Sequence, residues 1–536
     1  MTHENELHKT MGGARKQRVD RVVQTPPAIP LDIDWSRQRV LVIGLGESGL
    51  AACRWLARRG AQITAIDSRE RPPMADAARA LGQACAVRTG VASPFSSTLL
   101  DGVDWIVPSP GLSPHAQNGS PIAELLCRAG ERAIPVVGEI DLFEWAIHHA
   151  AHASSALATE PDLALPLELP KVLAITGTNG KTTTTQMTAA LLRRAGVDAQ
   201  EAGNISPSLL DAVMMREDEN RFPQVWVLEL SSFQLALAQH FQPSAAALLN
   251  ISEDHLDWHL DMADYTAAKQ RVFGIGCDPK TSGVMCVGNR QDPAVMQALA
   301  RQTQVVTFGA TTPVQCGDLG LVEEGLLWMV MRDLTDDERL HRLMPADALR
   351  VRGRHNAMNA LAALALCRAV TPALAPLLHA CREFRGGAHR MEWVAHVSGV
   401  DFVDDSKGTN VGATAAALSG IGLPVVLIAG GEGKGQDFSP LKAPIAAHAK
   451  AVVAIGRDGP ALADIARSAG VSVVMAESMQ DAVLQAYRLA NEQAGHGIVL
   501  MSPACASFDM FANYVERAHA FRAAIDRLAL EQGIAC

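Results

Sequence analysis

The sequence predicts an α/β protein of three domains, and two observations lead to this prediction. A buried strand, a glycine-rich turn and a helix follow one another in three separate stretches of the chain. The length of 536 residues agrees, because domains usually contain about 100–200 residues. Apolar residues make up 48% of the chain and aromatic residues only 4%, which favours small aliphatic side chains packed between helices and parallel sheets.

The first unit lies in RVLVIGLGESGLAACRWLARRGAQITAID. Its apolar run Val40–Ile43 predicts a buried strand, and Ser48–Arg59 predicts a helix that Gly60 ends. Ile63–Ile66 predicts the next strand, so the unit is of the parallel strand–helix–strand type. Further strands are predicted at Asp104–Val107 and Ala133–Val137.

The turn of this first unit carries the pattern G-x-G-x-x-G, from Gly44 to Gly49. Asp67 ends the following strand, where a dinucleotide-binding fold places its ribose-binding acid. Together they predict a Rossmann-like domain that binds a nucleotide or a nucleotide-sugar pyrophosphate. The alternative is a tight turn without a ligand, and the pattern alone does not indicate hydride chemistry.

The second unit, KVLAITGTNGKTTTTQMTAALLRRAG, has its glycine loop at Thr176–Thr182. Glycines let backbone N–H groups approach phosphates, Lys181 can reach the terminal phosphates, and a hydroxyl can bind Mg²⁺. The strict pattern G-x-x-x-x-G-K-[ST] is not met, because residue 175 is isoleucine, and a threonine-capped turn is the alternative. The loop predicts a central P-loop ATPase domain with a mainly parallel sheet, to which VWVLEL (225–230) and AAALLNI (245–251) add strands.

Glu229 is a carboxylate in the otherwise apolar strand VWVLEL. A charge there is costly unless it is paired or binds a metal, and a P-loop needs a metal-holding acid on a neighbouring strand. Glu229 is therefore a candidate Mg²⁺ ligand, and pairing with a nearby base is the alternative.

The segment Ser252–Asp257 follows a predicted buried strand, where α/β sheets place their ligands. His255 could bind a metal or a phosphate there, or could be an ordinary loop histidine. His255 and His259 have the i, i+4 spacing of zinc ligands, but no third ligand completes that pattern. Lys269 lies on a predicted helix, and taken alone it would be a solvated residue.

The last third of the chain repeats the α/β pattern and predicts a second Rossmann-like domain. Its strands lie in DFVDD, PVVLIAGG, AVVAIG, VSVVMA and GIVLMSP, and a closing helix is predicted from about Met510 to Leu530. Three polar segments follow strands and should meet at one sheet edge, where they suit a small dianionic ligand: Asp404–Asn410, Gly430–Lys434 and Ser502–Phe508. Cys505 has no predictable histidine partner, so we interpret it as a small buried thiol.

These patterns predict the following division of the chain: a flexible lead-in at 1–30, a first domain at 31–147, a linker or insertion at 148–170, a central domain at 171–387 and a C-terminal domain at 388–536. The linker prediction rests on HHAAHASSALATEPDLALPLELP, which mixes Ala, Ser, Pro and acids without periodicity.

Composition excludes several classes of protein. The formal charge of −10 argues against a general nucleic-acid binder. No apolar run reaches the roughly 18 residues of a membrane span, and the polar start MTHENELHKT does not resemble a signal peptide. The ten cysteines are scattered, which indicates reduced thiols and a cytoplasmic protein.

The motifs together resemble those of the Mur ligases of peptidoglycan synthesis. The resemblance rests on TGTNGKT, LELSSFQL, EDHLD with YTAAK, GRHNAMNALAAL, AHRMEW, DDSKGTNVGAT, GGEGKGQDFSPL and SPACASFDMF, in family order from about residue 38 to 521. DDSKGTN and SPACASFD point to the members of this family that add D-glutamate. Residues 1–30 and the length of 148–170 depart from the family, but neither segment contains a motif.

The resemblance implies an ATP-dependent ligase that joins D-glutamate to UDP-N-acetylmuramoyl-L-alanine through an acyl phosphate. It implies catalytic roles for Lys181, Glu229, His255 and Lys269, with Lys269 carbamylated. It implies Mg²⁺ at two sites, held by Thr182, Glu229, His255 and Lys269. The substrates would be bound by these residues: for ATP, Gly177, Thr178, Asn179, Gly180, Lys181, Thr182, Thr183, Thr184, Asn356, Asn359, Arg390 and Asp405; for the UDP-substrate, Ser48, Asp67, Ser68 and Asn204; for D-glutamate, Thr409, Lys434, Ser507, Phe508 and Tyr514.

Three alternatives remain open at this point. An NAD-dependent dehydrogenase would use the G-x-G-x-x-G unit but would leave Lys181 and Glu229 unexplained. A regulatory protein could bind ATP without releasing phosphate, and another family member could add a different amino acid. We expect a monomer that binds small-molecule substrates, with neither a nucleic-acid partner nor membrane insertion.

Overall fold

Three α/β domains follow one another along the chain in the computed structural model. The structure describes residues 29–156, 169–279, 282–336, 338–351, 353–387, 391–421, 423–433, 436–491 and 497–533. The predicted lead-in and most of the predicted linker lie outside these residues. Among the described helices, none has both the length and the apolar character that a membrane span requires.

The first domain is built on a parallel sheet. Its strands are β1 (Arg39–Ile43), β2 (Gln62–Ile66), β3 (Cys85–Arg88) and β4 (Trp105–Pro108). They lie in the order β3-β2-β1-β4. Its helices are α1 (Glu47–Arg58), α2 (Ala75–Arg79), α3 (Ala123–Glu131) and α4 (Glu139–Ala156). The predicted first unit is confirmed, including the helix end at Gly60, which has a φ of +80°.

Two predictions for the first domain are wrong. Ala133–Val137 forms an isolated bridge at Val136 instead of a strand, because Ala133 has a φ of +53° and so leaves the extended conformation. The segment predicted as a linker from His148 begins as helix, since α4 continues to Ala156.

The central domain has a nine-stranded sheet among the described residues. Its strands are β5 (Lys171–Thr176), β6 (Ala199–Gly203), β7 (Val225–Glu229), β8 (Ala245–Leu248), β9 (Met285–Asn289), β10 (Gln304–Phe308), β11 (Leu319–Glu324), β12 (Leu326–Arg332) and β13 (Leu340–Pro345). The order is β13-β12-β11-β10-β9-β8-β5-β7-β6. The pairs from β6 to β11 are parallel, whereas β11-β12-β13 form an antiparallel edge that sequence analysis did not predict.

Helices cover the central sheet and bury its apolar strands. They are α5 (Lys181–Arg194), α6 (Leu209–Asp218), α7 (Ser232–Leu237), α8 (Met262–Gln270), α9 (Pro293–Leu299), α10 (Arg354–Cys367) and α11 (Leu374–Glu383). Every residue of β7 and β8 is buried, as expected of parallel strands covered on both faces.

The C-terminal domain has a mixed sheet with one antiparallel edge strand. Its strands are β14 (Glu392–Val397), β15 (Val400–Asp404), β16 (Val425–Gly430), β17 (Ala449–Ile455), β18 (Ser472–Ala476) and β19 (Gly497–Met501), in the order β14-β15-β19-β16-β17-β18. Its helices are α12 (Val411–Ile421), α13 (Lys442–His448), α14 (Gly459–Ser468), α15 (Met479–Asn491) and α16 (Tyr514–Glu531). The closing helix starts at Tyr514 and not near Met510, because the Asn513 side chain caps it by accepting from the Glu516 N–H.

The last glycine of the first turn is needed for close packing, which gives a stability prediction. A Cβ on Gly49 would lie 1.9 Å from the backbone oxygen of Gly44, whereas a Cβ on Gly46 would meet nothing within 4 Å. We expect Gly49→Ala to destabilise the protein by about 2 kcal/mol or more in urea unfolding. The matched variant Gly46→Ala should stay within about 1 kcal/mol of the unmodified protein, and equal stabilities for the two variants would contradict this account.

Candidate active site

The glycine loop joins β5 to α5 and has the conformation that its glycines allow. Gly177 and Gly180 have φ values of +155° and +82°. A Cβ on Gly180 would lie 2.5 Å from Oδ1 of Asn359. The Asn179 N–H donates to the Asn250 side chain at 2.8 Å, which ties the loop to the end of β8. The loop therefore places its backbone at the N-terminus of α5, where the helix dipole favours an anion.

Glu229 lies beside the loop and accepts hydrogen bonds from neutral donors. It is 2% exposed, and its Oε2 accepts from the Thr182 hydroxyl at 2.6 Å. Its Oε1 accepts from the Asn204 amide at 3.0 Å. The structure thus brings together a hydroxyl, a carboxylate and an amide from three segments, and oxygen atoms of these kinds are typical Mg²⁺ ligands.

Two lysines converge on the same glycine loop. Lys181 Nζ donates to the carbonyl oxygens of Gly177 and Thr178, both at 2.9 Å. Lys269 Nζ donates to the Gly177 carbonyl at 2.8 Å. The interpretation of Lys269 as a solvated residue is wrong, because its side chain is 2% exposed. Burial, reinforced by the positive charge of Lys181, holds the pKa of Lys269 well below its usual range.

His255 lies on the loop between β8 and α8 and adopts a backbone conformation that is unusual for histidine. Its φ is +56°, and its ring contacts Phe233 edge-on with centroids 4.7 Å apart. Burial lowers the pKa of His255, and the nearby charges of Lys181 and Lys269 lower it further, while Asp254 opposes the shift. His255 therefore faces the same charged site as the two lysines.

His259 does not join His255 in a metal site. Its Nδ1 lies 2.9 Å from Asp264 Oδ2, and its Nε2 lies 3.0 Å from Ser232 Oγ. Within the described ranges there is no group of three or more His, Cys, Asp or Glu side chains that could hold a metal. The spacing of the two histidines along the sequence is therefore no evidence for zinc.

A cavity of about 380 Å³ opens between the glycine loop, α10 and the C-terminal domain. Asn356, Asn359 and Asp405 line it together with Asn179, Gly180 and Thr183 of the loop and helix α5. Lys181 and Glu229 do not line the cavity but lie next to residues that do. Lys181 follows Gly180 in the chain, and Glu229 accepts a hydrogen bond from Thr182, which precedes Thr183. The cavity is thus lined by residues of both the central and the C-terminal domain.

Asn289, Phe308 and His355 are among the cavity-lining residues that sequence analysis missed. Asn289 and Phe308 lie at the carboxyl ends of β9 and β10, a position that could have marked them as ligand-facing. His355 precedes Asn356 on α10, and burial lowers its pKa to about 4, so its ring is neutral at pH 7.

The predicted UDP-substrate residues fall into two groups. Asp67 is buried and accepts from the Leu45 N–H at 2.8 Å and from Arg69 at 2.7 Å. Ser48 hydrogen-bonds to Glu139, whose burial raises its pKa to about 7. Ser68 is exposed beside Asp67. Asn204 lies apart from these three residues and donates to Glu229 at 3.0 Å.

The three polar segments of the C-terminal domain meet at one edge of the sheet, as predicted. Ser502 Oγ donates to Asp405 at 2.7 Å, and the Ala504 N–H donates to the Gly408 oxygen at 3.0 Å. Sequence analysis missed Arg517, which is 2% exposed and donates to the carbonyl oxygens of Cys505 and Ser406. Arg517 lies on α16 and thereby holds the loops that contain Cys505 and Ser406 together.

The predicted D-glutamate residues surround this edge only in part. Ser507 is buried, Phe508 is 62% exposed, and the Tyr514 ring lies 5.4 Å from Lys407 Nζ. Thr409 is half-buried on the loop between β15 and α12. Arg390 and Lys434 lie outside the described residues.

Cys505 is a buried thiol, as predicted. Burial raises its pKa to about 12, so the thiolate that a nucleophile needs is disfavoured.

The fold and the site define a three-domain α/β protein with a glycine loop of the phosphate-binding type, and comparisons with protein families identify its family. Residues 38–138 match the Mur ligase MurD-like N-terminal domain, residues 175–367 the Mur ligase middle domain, and residues 389–505 the Mur ligase glutamate ligase domain. The chain belongs to the Mur ligase family.

Individual relatives cover nearly the whole chain. A UDP-N-acetylmuramoylalanine--D-glutamate ligase from Burkholderia ambifaria is 49% identical over 93% of this chain and 99% of its own length. The protein of the same name from Cupriavidus pinatubonensis is 48% identical over 93% of this chain and 98% of its own length.

Solved structures share the fold. The UDP-N-acetylmuramate-alanine ligase of Thermotoga maritima superposes with a TM-score of 0.52 at 18% identity, covering 92% of this chain and 99% of that one. MurF from Acinetobacter baumannii gives a TM-score of 0.53 at 17% identity, covering 90% and 93%.

Proposed function

We propose that this chain joins D-glutamate to UDP-N-acetylmuramoyl-L-alanine in an ATP-dependent amide ligation of peptidoglycan precursor synthesis. The observation that carries the proposal is the Thr182–Glu229 hydrogen bond beside Lys181, next to the loop residues Asn179 and Gly180 that line a cavity shared with the third domain. The names of relatives at 48–49% identity support the choice of substrates.

The reaction divides into two balanced steps. The carboxylate of the alanyl end attacks the γ-phosphorus of ATP, which forms an acyl phosphate and releases ADP. The amine of D-glutamate then attacks the acyl carbon, and the amide forms as phosphate leaves with the bridging oxygen and the amine loses a proton. Lys181 and the N-terminus of α5 would stabilise the charge that spreads over the phosphoryl oxygens.

The oxygen atoms around the loop fit Mg²⁺. The Thr182 hydroxyl and the Glu229 carboxylate lie in contact beside the loop and would be the protein ligands of the ion. A site with few protein ligands suits Mg²⁺, because the ion also binds substrate phosphates. Bound Mg²⁺ would neutralise phosphate charge during transfer. We propose that His255 and a carbamylated Lys269 serve a second ion.

The domains would divide the substrates among them. We propose boundaries for the UDP-substrate, ATP and amino-acid domains at 31–147, 171–387 and 388–536, although helix α4 continues beyond the first boundary to Ala156. The proposed ATP and D-glutamate residues are those given by the family resemblance, including Arg390 and Lys434. Closure around the cavity would exclude water, which would otherwise hydrolyse the acyl phosphate. We propose a cytoplasmic location, which the scattered thiols support. We also propose that the protein acts as a monomer on small-molecule substrates.

Phosphate release from ATP tests the substrates directly. With UDP-N-acetylmuramoyl-L-alanine present, we expect release to require D-glutamate and to fail with L-glutamate, diaminopimelate or lysine. Release with one of these other amino acids would assign the chain to another branch of the family. Nicotinamide reduction without ATP use would favour a dehydrogenase, and ATP binding without release under any acceptor would favour a regulatory protein.

The environment of Lys269 leads to a prediction about CO₂. A neutral amine attacks CO₂ to give a carbamate and a proton, and burial beside Lys181 favours that neutral form. We expect removal of CO₂ and bicarbonate to lower activity, with recovery after bicarbonate is restored. Carbon-13 bicarbonate should give a carbamate NMR signal that Lys269→Ala abolishes but the exposed control Lys171→Ala retains. Full activity without CO₂ would count against carbamylation.

A further inference from the structure

A chain of polar contacts outside the proposed ligand sites links α7, the loop between β8 and α8 that carries His255 (the His255 loop), and the first domain. His259 is its centre and is 1% exposed. Its Nδ1 donates to Asp264 Oδ2 at 2.9 Å, because a carboxylate can only accept. In the neutral ring, Nε2 then accepts from the Ser232 hydroxyl at 3.0 Å. Ser232 begins α7, three residues after Glu229.

The same Asp264 oxygen also reaches the first domain. His115 Nε2 lies 3.2 Å from Asp264 Oδ2, and His115 belongs to the loop that follows β4. That loop leaves the carboxyl edge of the first sheet, where α/β domains bind their ligands. One carboxylate oxygen therefore joins a histidine of the first domain to a histidine of the central domain.

We call the contact formed by His259, Asp264 and His115 between the two domains the junction. Trp258, the neighbour of His259, strengthens the junction through three hydrogen bonds to the first domain. Its backbone oxygen accepts from Ser113 Oγ and from Asn118 Nδ2, both at 2.7 Å. Its indole N–H donates to the Pro110 oxygen at 3.0 Å. The two adjacent residues thus attach the His255 loop to the first domain.

The junction acts directly on the backbone of His255. The His255 carbonyl accepts from the N–H groups of both Trp258 and His259 at 3.0 Å, and His255 has a φ of +56°. A histidine keeps this conformation only where its surroundings hold it. Loss of the His259 side chain should therefore displace His255 relative to a substrate held by the first domain.

Ser232, His259 and Asp264 also have the order of a nucleophile, a base and an orienting acid. Ser232 is 2% exposed and His259 is 1% exposed, so an acyl substrate could not reach the hydroxyl. Burial therefore favours positioning over a second hydrolytic activity.

We propose that His259 is a positioning residue of the ligase. Through Ser232 and Asp264 it holds the His255 loop against the first domain, so that the bound UDP-substrate presents its carboxylate to the phosphate-binding loop. This inference rests on the proposed ligase function.

The test compares steady-state kinetics of His259→Ala and His259→Gln in the full-length protein. For His259→Ala we expect the KM for the UDP-substrate to rise about 10-fold and kcat to fall by a similar factor, since a misplacement of about 1 Å can cost about 100-fold in rate. The KM for ATP should stay within about 2-fold, because His259, Ser232 and Asp264 are not among the residues that line that cavity. His259→Gln, which can still donate to Asp264, should recover part of both losses.

His240→Ala is the matched control, because it removes another histidine–carboxylate pair, His240 Nδ1 to Glu144 Oε2 at 2.6 Å, outside this junction. It should leave both KM values unchanged. An active enzyme whose KM for the UDP-substrate is unaffected by His259→Ala would overturn this inference alone, as would an equal effect of His240→Ala. Covalent labelling of Ser232 by a fluorophosphonate would also overturn it. An inactive parent enzyme would instead refute the proposed function.

Discussion

Lys181→Ala should reduce phosphate release by about 1,000-fold or more, because a phosphate-facing cation acts mainly on the transition state of transfer. Its ammonium lies over the Gly177 and Thr178 carbonyls, at the loop that should cradle the phosphates. The measurement is kcat for phosphate release with saturating UDP-substrate and D-glutamate.

Lys171→Ala is the matched control for this variant. Lys171 lies at the start of β5 and donates to the Ala369 carbonyl at 2.8 Å, away from the loop. Its replacement should change kcat by less than about 2-fold. Turnover near that of the unmodified protein in Lys181→Ala would refute the role of this lysine.

Glu229→Gln should lower turnover by about 100-fold or more and raise the Mg²⁺ concentration needed for half-maximal activity. The amide is close in size to the carboxylate, but it is neutral and binds Mg²⁺ more weakly. Thr182 and Asn204 donate to different oxygens of Glu229, and the amide keeps only one acceptor oxygen, so the variant removes the charge and one acceptor together.

Glu219→Gln is the control for Glu229→Gln, because Glu219 is exposed and pairs with Arg216 on the surface at the end of α6. It should leave the Mg²⁺ dependence unchanged. An unaltered Mg²⁺ requirement in Glu229→Gln would remove this residue from the metal site.

Local patterns predicted the parts of the fold that local physics determines. The apolar run before Gly44 and the loop before Lys181 specify a strand, a turn and a helix within a few residues of one another. The antiparallel edge β11–β13 was missed because its strands are partly exposed and lack the pattern of a glycine loop followed by a helix; β11 and β12 are joined by Gly325 alone. The first half of α4 is buried, but its end is rich in alanine and histidine. The composition of this end therefore did not indicate that the helix continues to Ala156.

The functional site, like the fold, could be predicted from the sequence only in part. Glu229 could be predicted because a carboxylate in an apolar strand needs a partner, although the sequence could not show that Thr182 and Asn204 would supply it. Arg517 and His259 were missed as structural residues because their partners lie far away in sequence or on another element. Such contacts depend on how whole elements pack together, which single-sequence patterns do not reveal.

The central claim is that this chain transfers phosphate to a substrate carboxylate before it forms an amide with D-glutamate. The most direct measurement uses UDP-N-acetylmuramoyl-L-alanine with oxygen-18 in its alanyl carboxylate, together with ATP and D-glutamate. Mass spectrometry should find one oxygen-18 atom in each phosphate released and the other in the new amide carbonyl. Phosphate without oxygen-18 would contradict the claim.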